Sequence, residues 1–268
     1  MYQILEASLA DLSRLYQFML ADLFKANFSL KGFDYPWLLT IRRWQAGEKV
    51  LDVGAAYSPL PIHIQRTYGC EVWVADDFGL ESGEAFWTRS HSPHEHIAQH
   101  PEVKYVLERL GNPQKSSLPS GYFDVIYSLS ALEHVPTELA PAVWRHMDSL
   151  LKPGGEMLHA IDLSFPSNGG VKKLLLAALF DALYPLAPQG IRQKRRMSTP
   201  RAYVRMACQA LGIPSPSGKD LSVWRMCLDP DILSENPDFG LHRIRKDKMT
   251  DYRYQRAASL LLRLKKVV

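Results

Sequence analysis

The stretch LDVGAAYSPLP, residues 51–61, decides the reading of this chain. Val50, Leu51 and Val53 make a short buried strand that ends at Gly54. Ser58 then offers a helix cap, Pro59 a first helical position and Gly69 a helix stop. The segment reads as strand, tight loop, helix. In open α/β sheets, ligands sit at the carboxyl ends of such strands. A loop that touches a pyrophosphate wants G-x-G-x-x-G, because its backbone must come close to the phosphates. Here Ala56 and Pro59 stand where the later glycines would be. The loop therefore suits a ligand without phosphates, with alanine expected at a negative φ.

The 268 residues, 46% hydrophobic, are enough for one large core. A net charge of +4 carries meaning only where it is clustered. Cys70, Cys208 and Cys227 form no CxxC and read as reduced thiols rather than a disulfide framework or metal site. The opening MYQILEASLADLSRLYQFML has Glu6 and Asp11 and no basic lead, so it reads as an amphipathic helix, not a signal peptide. The most apolar run, at 174–184, is broken by Asp181 and is too short to span a bilayer. A soluble, cytoplasmic protein is expected.

Beyond the helical first fifty residues, short apolar runs alternate with amphipathic segments. KVLDVG, EVWVAD, KYVLERL, YFDVIYSL and EMLHAIDL read as strands. Residues 141–152 read as a helix with Val143, Met147, Leu150 and Leu151 on one face, stopped by Pro153-Gly154-Gly155. Strands alternating with helices predict an α/β fold, a parallel sheet covered on both faces. From Ser164 the alternation fails. An apolar helix at 171–184 leads into the basic GIRQKRRM, and TPRAYVRMACQALG forms a helix with Thr199 as cap, Pro200 at its start and Gly212 at its end. LSVWRMCL and LHRIRK read as two more strands, and the closing RYQRAASLLLRLKKVV as a basic apolar helix.

The second strand ends at Asp76 and Asp77, with Asp76 24 residues beyond Asp52. A carboxylate there holds a ribose diol in nucleotide sites, and equally well starts an ordinary loop. The run 110–136, LGNPQKSSLPSGYFDVIYSLSALEHVP, joins a polar loop, a strand and a helix start. The order VLDVGAAYSP, VWVADD, LPSGYFDVIYSLSALEHVP and LLKPGGEMLHAIDL resembles the class I S-adenosylmethionine-dependent methyltransferases over residues 48–163. The resemblance implies a Rossmann-like, mostly parallel seven-stranded sheet and S-adenosyl-L-methionine as cofactor, leaving as S-adenosyl-L-homocysteine. It implies that Asp52, Gly54, Ala55 and Ala56 hold the methionine part. Asp76 would take the ribose hydroxyls, with Asp77 and Phe78 beside the adenine. Asn112 would meet the adenine amino group, and Ser128 and Leu129 would line the sulfonium. The sequence departs from the family at Ala56 and at Asn112, where the family usually has glycine and aspartate. A single domain is expected, with an N-terminal helical cap (1–47), a cofactor-binding core (48–163), a helical and basic insertion after the fifth strand (164–199), and the rest of the sheet with a basic tail helix (200–268).

Methyl transfer from a sulfonium is an in-line displacement in which the enzyme mainly positions the partners. A hydroxyl acceptor also needs a base. The candidates are His134, Asp162 and His159. Strand alternation puts His159 and Asp162 on opposite faces, so they form no dyad, and His159 also reads as a hydrogen-bonded core histidine. His91, His94, His96 and His100 could serve a metal, but a polar surface loop is favoured. With no metal ligands in the core motifs, a metal-independent mechanism is expected. The expected acceptor is a small molecule or glycan, methylated at a hydroxyl in surface-polysaccharide or natural-product synthesis. Arg192, Lys194, Arg195 and Arg196, with the basic tail, could face an anionic or lipid-linked acceptor or touch a membrane surface. Nucleic acid is not favoured, since no recognised motif accompanies the charge. Two alternatives stand beside this reading: a nicotinamide-dependent oxidoreductase, and a cofactor-binding module without turnover that acts through its basic helices.

Overall fold

A computed structural model of the chain describes residues 2–5, 31–79, 92–166, 179, 200–214 and 254–267. Their strands are β1 (Tyr2–Leu5), β2 (Lys49–Val53), β3 (Glu71–Ala75), β4 (Lys104–Val106), β5 (Phe123–Leu129), β6 (Leu151–Pro166) and β7 (Tyr254–Lys266). They form one sheet in the order β1-β7-β6-β5-β2-β3-β4. The strands from β2 to β6 run parallel, while β7 pairs antiparallel with β6 and β1 antiparallel with β7. This is the expected mostly parallel α/β class. The chain runs outward from β2 through β3 and β4, then returns to β5 on the other side of β2. That reversal opens a crevice at the carboxyl ends of β2 and β5.

Helices α1 (Lys31–Thr40), α2 (Leu60–Tyr68), α3 (Pro93–Gln99), α4 (Ala140–Leu150) and α5 (Pro200–Leu211) flank the sheet. Alternation along the strands splits the core in two. Leu51, Ile126, Met157 and Ile161 pack against Trp144 and Met147 of α4 and Tyr203 of α5. Val50, Val74, Tyr127 and Leu158 pack against Trp37 and Leu38 of α1 and Leu60 and Ile64 of α2. Helix α2 follows Pro59 and ends at Gly69, whose φ of 70° lets its N–H donate to the Gln65 carbonyl. Helix α5 starts at Pro200 and is followed by Gly212 at φ 66°, as its sequence predicts.

Both ends of the chain differ from expectation. Tyr2–Leu5 is an edge strand, in register with 263–266, rather than the start of an amphipathic helix. The tail is not a basic helix but the 13-residue strand β7 between β6 and β1. Leu260, Leu262 and Leu264 enter the α4/α5 side of the core, and Leu261 the other side. A strand buried on both faces takes consecutive leucines, a pattern that periodicity cannot separate from a helix. Three of the tail's cations are also committed within the fold. Arg263 donates to both Glu156 oxygens at 3.0 and 3.1 Å and to the Ile41 carbonyl. Lys265 reaches Glu156 at 3.4 Å, and Lys266 reaches Asp148 at 2.8 Å. Burial pushes the Glu156 carboxyl up, but Arg263, with Arg42 and Lys265, brings it net below its ordinary range. The membrane-facing tail helix is thereby withdrawn.

Strand limits also move. The helix expected over 141–152 ends at Leu150, and β6 begins at Leu151, so the Pro153-Gly154-Gly155 expected as a helix stop lies within that strand. Strand β6 continues past Leu163 to Pro166, and β4 stops at Val106. The expected helix at 171–184 (Leu179 apart), the basic residues at 192–196 and the strands at 221–228 and 241–246 lie outside the described residues. So do His91 and Cys227. Among the described residues no helix is long and apolar enough to cross a membrane.

The strand assignment of the tail has a direct consequence. Leu262 is buried in β7, so Leu262→Ala should lower stability by about 2–5 kcal/mol. Urea unfolding checks this; a loss under about 0.5 kcal/mol would mean a surface position.

Candidate functional site

At the crevice, Gly54 has φ 80° and donates its N–H to the Ala75 carbonyl at 3.0 Å. A Cβ added there would lie 2.5 Å from the Cβ of Ala131. The loop after β2 thus meets the turn after β5, and only glycine fits the contact. Ala56 does not have the negative φ expected of it; its φ is 46°. Its N–H donates to Asp76 Oδ2 at 2.7 Å. Phe78, at φ 51°, donates its N–H to the other oxygen of Asp76 at 2.6 Å. Among the described residues, Ser130 at φ 53° is the third non-glycine in this region. All three sit in loops at the carboxyl ends of β2, β3 and β5. A left-handed L-residue costs about 1–2 kcal/mol, and such strain concentrates at functional sites.

Asp76, expected to serve a ribose, is half-buried and already holds two backbone donors. Burial raises its carboxyl above the ordinary range, against the pull of those hydrogen bonds. Asp77 is buried: one oxygen accepts from the Gly79 N–H at 3.2 Å and the other from Arg109 Nε at 2.7 Å. Phe78 is buried, with its ring 5.2 Å from that of Tyr57. Tyr57 also meets His96 edge-on at 5.2 Å, and His96 Nε2 hydrogen-bonds the Tyr105 hydroxyl at 3.2 Å. Residues 93–99 are therefore not a polar surface loop but helix α3, capped by Ser92, with His96 packed into an aromatic cluster beside the crevice. Among the described residues, no three His, Cys, Asp or Glu side chains gather as a metal-holding group.

Asp52 is buried at the end of β2. Its charge and burial both raise the neighbouring Tyr127 phenol, with burial the larger cause. Helix α1 closes this side. The Tyr35 hydroxyl lies 3.0 Å from Ser58 Oγ, and Ser130 Oγ donates to Asp34 Oδ2 at 3.4 Å. One helix thus ties the loop after β2 to the turn after β5. Burial pushes the Tyr35 phenol up to about 12, with Asp52 and Asp34 adding to the shift. The sequence reading missed Asp34 and Tyr35. Their signal is an acid inside the apolar run FDYPWLL, where only a partnered carboxylate is tolerated.

Asn112 is exposed and opens a short 3-10 turn, Pro113–Lys115. The preceding Gly111 donates its N–H to Nδ1 of buried His146 at 3.1 Å, a tie from this loop to α4 that the sequence did not disclose. Burial lowers the His146 pKa, which keeps Nδ1 an acceptor. Ser128 and Leu129 are both buried, and alternation points them to opposite faces of the sheet. Ser128 lies beside His159 in register, and its Oγ has no hydrogen-bond partner among the described residues.

The three candidate bases are separated. His134 lies in the 3-10 turn Leu132–His134 just beyond β5, with its side chain 56% exposed and Nε2 3.8 Å from Glu133 Oε1. Leu132 of the same turn packs into the core with Val143, Trp144 and Tyr203. His159 is fully buried, its ring 4.8 Å from that of Trp144 in T-shaped contact. It is the core histidine that the sequence allowed, but neither ring nitrogen has a hydrogen-bond partner among the described residues. Asp162 lies on β6 opposite Ser259, three residues nearer the carboxyl end.

Burial lowers the His159 pKa to about 3. A histidine held neutral in the fold contributes stability that is complete above the unfolded value, near 6.5, and is lost as pH falls toward the folded value. Against His159→Leu, the wild type should therefore lose about 2 kcal/mol more between pH 7 and pH 5. Urea midpoints at the two pH values measure this; parallel losses would mean that His159 is protonated in the fold.

A methyltransferase-domain family profile matches residues 10–212. No curated protein matches the chain in sequence. Among solved structures, it is similar to a geranyl diphosphate methyltransferase in complex with SAM, at 13% identity and TM-score 0.53, over 93% of this chain and 89% of that one. It also matches geranyl diphosphate C-methyltransferase from Streptomyces coelicolor A3(2), at 12% identity and TM-score 0.49, over 83% and 74% of the two chains. A third match is phosphoethanolamine N-methyltransferase 2 of Haemonchus contortus, at 11% identity and TM-score 0.49, over 96% of this chain and 57% of that one. Identities this low, with the first of these TM-scores, speak to a shared fold alone.

Proposed function

The chain belongs to the class I S-adenosylmethionine-dependent methyltransferases, and on that footing we propose that it methylates a hydroxyl of a small-molecule acceptor with His134 as the base. The family reading leaves the nicotinamide-dependent alternative without support. The non-catalytic alternative rested partly on a tail helix that is a core strand.

The crevice suits this cofactor. Gly54 brings the loop after β2 against Ala131 of the turn after β5, and Asp34, Asp52 and Asp76 place carboxylates on the elements that meet there. Asp52 and the loop 54–56 would hold the methionine part, and Asp76 would face the ribose. When bound, S-adenosylmethionine supplies an electrophilic methyl carried on a sulfonium. The chain's own contribution is to position the acceptor and to receive its proton.

One observation carries the assignment of the base: His134 is an exposed imidazole at the carboxyl end of β5, with Glu133 3.8 Å from its Nε2. At 3.8 Å the pair is longer than a hydrogen bond, and it becomes an ion pair once the imidazole has taken the acceptor proton. The solved relatives named above act on carbon and nitrogen. The hydroxyl reading therefore rests on this chain's own histidine.

The test uses radiolabelled S-adenosylmethionine and matched acceptors bearing a hydroxyl or an amine. Transfer to the hydroxyl should fall about 10²–10⁴-fold in His134→Gln, while S-adenosylhomocysteine affinity by calorimetry stays unchanged. Unchanged transfer by the variant, or methylation of the amine alone, would overturn the assignment.

A further inference from the structure

We propose that Asp76 is a clasp, a positioning residue that holds Ala56 and Phe78 in the left-handed backbone region and so fixes the two loops that border the crevice. This rests on the cofactor reading above for its consequence, but not for its geometry. The two oxygens of one carboxylate accept from two backbone N–H groups, at 2.7 Å from Ala56 and 2.6 Å from Phe78. These donors come from different loops, and Ala56 is 20 residues from Asp76 in the chain. Both have positive φ and neither is glycine. Of the three such residues among those described, two are bonded to this single carboxylate.

The coincidence has a physical reason. An L-residue in the left-handed region persists only where its surroundings over-determine it. A charged acceptor gives each N–H a stronger bond than a neutral one would. Phe78 cannot be exchanged for glycine without loss, because its buried ring packs on Tyr57, a residue of the opposite loop. Asp76 is itself held in place. Asp77 next to it is fixed by Arg109 and by the Gly79 N–H, which gives two overlapping turns in which each aspartate accepts from the N–H two residues on. The carboxylate therefore does more than await a ribose: it sets the backbone path of both loops before any ligand arrives.

The clasp and a ligand-contact role predict different rescue behaviour. Asn at position 76 keeps one acceptor oxygen and replaces the other with a donor. If Asp76 is a clasp, Asp76→Asn should lower the melting temperature of the ligand-free protein by about 2–4 °C and weaken S-adenosylhomocysteine binding about 10-fold or more. Ala56→Gly removes the penalty at one of the two strained positions. In the Asp76→Asn background it should recover roughly fivefold in affinity beyond its own effect in the wild-type background, and part of the melting temperature. A contact to ligand alone predicts no change in the ligand-free melting temperature and no rescue, and that outcome overturns the clasp. If Asp76→Asn does not fold, amide hydrogen exchange of the ligand-free wild type decides: protected Ala56 and Phe78 amides support the clasp, and exchange at open-loop rates rejects it. Failure of the wild type to bind S-adenosylhomocysteine would sink the cofactor reading separately, since the ligand-free measurements do not depend on it.

Discussion

The contact between Gly54 and Ala131 is the constraint on which the site depends. It exists because the chain reverses between β2 and β5, which brings the loop after one strand against the turn after the other. With no room for a side chain, the loop must pass as bare backbone, and its path is set at a positive φ from the start. Each later feature follows from that close approach. Ser130 takes a left-handed conformation one residue before Ala131, Asp34 of α1 receives its hydroxyl, and Tyr35 reaches back to Ser58 on the opposite loop. Helix α1 is thereby part of the crevice wall.

Much of the central sheet was legible because its signals are local. A short apolar run ending in glycine and a proline at a helix start each act within a few residues. The tail was not legible for a reason specific to its place. The three consecutive leucines from Leu260 to Leu262 suit a strand buried on both faces as well as a helix, and only its neighbours β6 and β1 decide. The basic residues beside them looked like a surface face, but Arg263, Lys265 and Lys266 find Glu156 and Asp148, which lie more than a hundred residues away.

The site divides in the same way. The order of motifs put Asp52, Gly54, Asp76 and Asp77 at strand ends and in the loops that follow them, and the structure has them there. What those groups do there was harder to read. The conformation of Ala56 is decided by a carboxylate 20 residues on, and the place of His96 by Tyr57 and Tyr105 in other elements. Asp34 and His146 carry no motif at all. Their importance comes from burial beside a loop amide or hydroxyl, which only the fold creates.

The loss of glycines that made the loop unusual now has a different explanation from the first one. Ala56 is not tolerated because its backbone is ordinary; it is tolerated because an acid holds it in a glycine-like conformation. A carboxylate at this strand end holds a ribose diol in nucleotide sites, dinucleotide sites included, so its charge by itself does not exclude a phosphate. What sets this loop apart is that the oxygens of Asp76 are already committed to two backbone N–H groups from two loops. On the clasp reading, a change at Asp76 therefore alters the loop conformation and the ligand's seat together, and the two cannot be varied independently.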